Sequence, residues 1–185
     1  LKIPTQNTGF AKAAIITDDD RCADKEKDTY ISKDLDYDDD LNGIGDKITR
    51  GAPSDRYSKI EDLCSDGIVK CSGGVKTFEY ELSLIPDNIP YIVDAICTVY
   101  PIVGEKLKNK VEKETDNNIK ALMIWLFIRS RDSAKAQVAQ ALCRLLKMSA
   151  QDIAKEKNIK KPFVVPAYIQ AAIYSVTMNC EEHPE

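Results

Sequence analysis

A single histidine, His183, stands in this chain of 185 residues, two places from its end. Ser/His and Cys/His nucleophiles, and metal sites built on imidazole, need such a ring inside a core, so these chemistries have no residue to carry them. No CxxC pair occurs, and Cys180 with His183 has no second pair at ligand spacing, which leaves structural zinc without its four donors. A glycine-rich phosphate loop is missing too, because Gly73-Gly74 lacks the required spacing. The longest apolar run is Ala121 to Ile128, far below the roughly 18 residues of a membrane span. There is no N-x-[ST] sequon and no repeat of fixed period.

What is present suits one ordinary domain. The hydrophobic fraction, 43%, is enough for a real core without covalent staples. Net charge is −4, but unevenly spread: residues 1 to 88 carry 12 basic and 19 acidic side chains, whereas the remainder carries an excess of basic ones. The two parts therefore face different partners, or each other. Six cysteines are too few for a disulfide scaffold. Cys97 and Cys143 sit among apolar residues of predicted helices, whereas Cys64 and Cys71 are spaced for a bridge across a turn. The chain begins at Leu1, and its composition fits a secreted or a cytoplasmic protein.

The organising element is the stretch Asn118 to Met148, above all Ala121 to Ile128, which leaves no polar stripe and so predicts a helix buried on every side. Asp116 is placed to cap it. Around it the spacing predicts helices from Ser54, from Pro90 to Tyr100, over Ile102 to Glu114, from a Ser133 cap, over a short piece opened by Ser149 and Asp152, and from Pro166. Phe78, Tyr80, Leu82 and Leu84 alternate with polar residues after the turn signal Ser72-Gly73-Gly74, which predicts a β-hairpin over 68–84. The expected fold is mainly α: a bundle of about five to six helices over 54–185 with a small β-hairpin, preceded by an acidic, largely extended N-terminal arm over 1–53. Phe10 to Thr17 reads as a strand or extended segment docked on that body.

Three stretches carry candidate chemistry. Asp38, Asp40, Asn42 and Gly43 stand at positions 1, 3, 5 and 6 of a run that resembles an EF-hand loop, and the Asp-rich calcium loops of secreted repeat proteins. That resemblance implies calcium, with the Ile44 carbonyl and Asp46 as further ligands; Thr49 stands where an EF-hand carries a bidentate Glu. The alternative is a solvated Asp-rich turn. Ser149 to Val164 resembles the helix-turn-helix of bacterial regulators, with Ile159 locking the second helix; helix, loop, helix within a bundle is the plainer account. Finally, Lys106, Lys110, Arg129, Arg131, Arg144 and Lys147 belong to a basic set that would form a groove for single-stranded nucleic acid, with Tyr100 or Tyr168 for stacking, were they to share a face. Interleaved acids argue instead for solvated helix sides. Glu79 and Glu81, on one face of the predicted strand, could act as a carboxylate pair.

These readings favour a non-enzymatic protein-binding or assembly module, whose partner is another protein or a second copy. Single-strand nucleic-acid binding and a secreted calcium-binding protein are the alternatives.

Overall fold

The structure, a computed structural model, describes residues 12–19, 21, 41–64, 68–153 and 161–177. It is mainly helical with one small two-stranded sheet. The element order among these residues is β1 (Ala13–Asp18), α1 (Leu41–Arg50), α2 (Asp55–Leu63), β2 (Val69–Gly74), α3 (Phe78–Ser83), α4 (Ile89–Val99), α5 (Pro101–Lys113), α6 (Asn117–Arg129), α7 (Ala134–Ile153) and α8 (Ala167–Thr177).

Helix α6 is the hub, as its composition predicts. Every residue from Ala121 to Ile128 is buried, with Ala121, Leu122, Ile124 and Phe127 wholly inaccessible. The Asp116 carboxylate accepts from the amides of Asn118 (2.7 Å) and Ile119 (3.4 Å), satisfying two donors that the first turn would otherwise orphan. Helices α1, α3, α5 and α7 all pack against it. Helix α5 is set against α4 at Tyr100–Pro101, and Gly104 keeps the crossing close: a Cβ there would lie 2.9 Å from the Cys97 Cα.

The predicted hairpin is not formed. Residues 69–74 are a strand, but its partner is β1, in parallel register from Ala13↔Val69 to Asp18↔Gly74, and residues 78–83 are the helix α3. An alternation of six or seven residues covers fewer than two helical turns, too short for periods of 2 and 3.6 to diverge. Packing decides: as a helix the segment buries Tyr80, Leu82 and Ser83 and stacks Tyr80 edge-on against Trp125, with ring centroids 6.0 Å apart. Parallel pairing needs a long crossover, which α1 and α2 supply.

Part of the expected arm is thus built into the body. Leu41, Ile44 and Ile48 recur at helical spacing and place α1 on α6, and Ile48 is only 2% exposed. A Cβ on Gly45 would sit 3.3 Å from the Leu122 side chain, so the glycine allows this approach. Ser149 and Asp152 do not open a separate helix; both lie within the continuous α7.

Beyond α7 the extended residues 161–166 are held by a wholly buried amide. Asn88 Nδ2 donates to the carbonyls of Val164 (2.8 Å) and Leu82 (3.2 Å), and its Oδ1 accepts from the Val164 amide (2.8 Å). The Tyr91 hydroxyl donates to the Lys161 carbonyl (2.8 Å) nearby. Asn88→Ala would strand these backbone groups, so it should cost about 2–4 kcal/mol in denaturant melts. A loss below about 0.5 kcal/mol, the surface range, would contradict this pinning role.

Candidate functional site at the carboxyl ends of the parallel strands

Because β1 and β2 run parallel, both end on the same side, where crevices outside the carboxyl ends of strands are the usual ligand positions in α/β sheets. The pairing runs on past the strands, with the Asp19 amide donating to the Gly74 carbonyl (2.9 Å) and the Arg21 amide to that of Val75 (3.1 Å). Asp19, Arg21, Lys76 and Glu81 meet at this edge.

Asp19 is buried, its carboxylate paired with the Arg21 guanidinium and accepting from the Ser54 amide (2.9 Å). Arg56, on α2, donates to the Asp18 carbonyl (2.7 Å). Lys76 is 1% exposed; its ammonium donates to the Arg21 carbonyl (2.8 Å) and lies 5.6 Å from the Trp125 ring centroid. Glu81 reaches back from α3 to accept from the amides of Val75 and Lys76. Gly74 makes room for it, since a Cβ there would lie 2.6 Å from the Glu81 Cγ. Gly73 is needed for another reason: its Cβ would overlap the Tyr57 ring. Glu79 points the other way, to the Lys135 ammonium 3.2 Å off. On a helix, residues two apart diverge, so Glu79 and Glu81 are not the same-face pair that a strand would give.

Helix α8, which carries Tyr168, packs across both strands. Burial, and then the negative charges of Asp18, Glu81 and Glu79, push the Tyr168 hydroxyl up to about 12. Glu81 is itself raised, chiefly by burial and also by Asp18, although the two amides it accepts from pull the other way. Tyr57, beside β2, is raised to about 12 by burial and by the neighbouring Cys71. Groups whose protonation is displaced in this way gather at functional sites more often than elsewhere. A strained backbone is close by. Ser133, which precedes α7 and Lys135, has φ 62, the one positive value of a non-glycine residue among those described. Such strain also concentrates at sites of function.

The residues singled out from the sequence are differently placed. Asp38 and Asp40 lie outside the described residues, as does Ile159 of the helix-turn-helix stretch. Asn42, Ile44 and Asp46 are in α1, not in a turn, and Asp46 faces Arg50 at 3.6 Å. Carbonyls in a helix run along its axis, so residues 42–46 do not wrap an ion in the expected manner; the apolar contacts of Leu41, Ile44 and Ile48 outweigh the turn preference of Gly43 and Gly45. Among the described residues no group of three Asp, Glu, Cys or His side chains is gathered tightly enough to hold a metal as it stands.

The basic set is divided. Lys106 and Lys110 lie on α5, and Arg144 and Lys147 on α7; both helices pack on α4. Arg131 stacks on Phe127, 3.7 Å from its ring centroid, and donates to the Phe127 carbonyl (3.0 Å). Arg129 lies 5.3 Å from the Trp125 ring that Lys76 also approaches. Asp18, Arg21 and Lys76 are site residues that no sequence motif singles out. Their signal is an apolar run that stops at Asp18-Asp19, set against a second run that stops at Gly73-Gly74. No protein-family model, curated protein or solved structure matches the chain.

Proposed function

We propose that the carboxyl end of the parallel pair is a divalent-cation-assisted site for phosphoryl chemistry, acting on the phosphodiester backbone of nucleic acid. The observation that carries this reading is that Asp18 closes β1 in register with Gly74, and that Glu81 is held at the Val75 and Lys76 amides just beyond that strand end. Carboxylates whose charges oppose one another are relieved by a hard cation, and Mg²⁺ needs only one or two of them when water and phosphate oxygens complete its shell. Asp18 and Glu81 are assigned that role. A cation held by Asp18 and Glu81 would supply polarisation of a phosphoryl oxygen and a lowered pKa for a bound water. Lys135, its side chain 61% exposed, and Arg129 supply positive charge for the phosphate oxygens. Glu81 is held by the Val75 and Lys76 amides, and Glu79 is paired with Lys135.

The test is cleavage of labelled single-stranded and duplex oligonucleotides with Mg²⁺, Mn²⁺ or Ca²⁺ against a chelator control. Metal-dependent cleavage is expected, and Asp18→Asn should reduce it by about 100-fold or more, the usual scale for losing one electrostatic contact in a transition state. Absence of both cleavage and any cation-dependent rise in melting temperature, in folded protein, would overturn the proposal.

A second reading, a protein-binding or assembly module, draws support from large apolar side chains left in solvent, Leu63 at 81% and Ile102 at 80%. Scattered residues of this kind carry less weight than a contiguous patch. Sedimentation over a range of concentrations tests it; a monomer throughout counts against self-association.

A further inference from the structure

Helix α2 ends at Cys64, and Cys71 stands in the middle of β2, against which α2 packs. The packing of α2 on β2 makes Cys64 and Tyr57 neighbours of the Cys71 thiol. Neither cysteine is deeply buried, and both are reduced here. Tyr57 rests on Gly73, so the dithiol lies at the seam that joins α2 to the strand leading into the carboxylate cluster.

We propose that Cys64 and Cys71 form a reversible disulfide that locks α2 to β2 in response to low-molecular-weight disulfides such as oxidised glutathione. The placement supports the pairing: α2 packs on β2, so the two cysteines stand on neighbouring elements that a disulfide can join. Burial raises the Cys71 thiol above its ordinary value, which disfavours its thiolate and so a first attack from that side. The Cys64 thiolate attacks one sulfur of the small disulfide, the S–S bond breaks, and one small thiolate leaves and takes up a proton. Cys71 then gives up its proton and attacks the Cys64 sulfur, expelling the second small thiol. Two protein thiols are oxidised and one small disulfide is reduced to two thiols, so atoms and electrons balance. Cys143 is exposed on α7 and Cys97 lies at the α4–α5 crossing, so neither competes for this pairing.

The consequence for the strand-end cluster rests on the function proposed above, because Arg56 of α2 donates to the Asp18 carbonyl. The disulfide itself does not, and the test reads it directly. Full-length protein is incubated with oxidised glutathione, unreacted thiols are alkylated, and peptides are mapped by mass spectrometry. Wild type should show a Cys64–Cys71 cross-linked peptide, two hydrogens lighter than the separate parts, reversed by dithiothreitol. Cys71→Ser should instead trap a persistent glutathione adduct on Cys64. A wild-type protein in which both cysteines stay alkylatable, or in which Cys64 carries glutathione without cross-linking, would overturn the proposal whether or not the site cleaves nucleic acid.

Discussion

Trp125→Ala is expected to cost about 3–5 kcal/mol in denaturant melts, the range for truncating a large aromatic in a packed core. The indole is 3% exposed and makes an edge contact with Tyr80 of α3, 6.0 Å between centroids. It does more than fill space. Lys76, itself 1% exposed, and Arg129 both place their cationic groups near its ring, at 5.6 and 5.3 Å. Removing the ring leaves a cavity beside a buried ammonium that donates to the Arg21 carbonyl. Trp125→Phe keeps an aromatic face and should recover a large part of the loss. If Trp125→Ala costs under about 0.5 kcal/mol, α6 is not the hub of this fold.

That hub was legible because burial on all sides writes itself as an unbroken apolar run, and its cap is a single local residue, Asp116. Ser54 was legible for the same reason: its hydroxyl accepts from the Tyr57 amide at 3.2 Å, a signal three residues long. The sheet was not. Its two strands are separated by two helices, and nothing local in Val69 to Gly74 says whether the partner is the segment just after it or the one 56 residues before it. Once the nearer segment was paired with it, Phe78 to Ser83 had to be a strand, and Glu79 and Glu81 had to share a face. The candidate site was hidden by this one choice, since it exists only where Asp18 and Gly74 are in register. Helix α1 was hidden in a related way, because the turn preference of Gly43 is local, whereas the pull of Ile48 towards α6 is tertiary.

Glu81 offers the sharpest division between what stabilises this structure and what it is for. Its carboxyl is raised above its ordinary value of 4.5, mainly by burial, so the folded chain holds that proton more tightly than the unfolded chain does. Such a group favours folding least when it is ionised: its contribution to stability falls as pH rises from about 4.5 through the folded value, and stays low beyond it. Glu81→Gln removes the titration while keeping an oxygen that can accept from the Val75 and Lys76 amides. At neutral pH this variant should therefore be at least as stable as the wild type, and its advantage should vanish below the ordinary carboxyl range. Glu81→Leu should instead be destabilised by about 1–3 kcal/mol, since the two amides lose their acceptor. If Glu81 ligates a cation for phosphoryl chemistry, Glu81→Gln should combine undiminished stability with a metal-dependent cleavage rate lower by about 100-fold or more. Thermal melts across pH, run beside the cleavage assay, separate the two roles. A Gln variant that melts like wild type at every pH would show that burial does not displace this carboxyl; one that cleaves like wild type would remove Glu81 from the site and leave it as a clamp on the turn after β2.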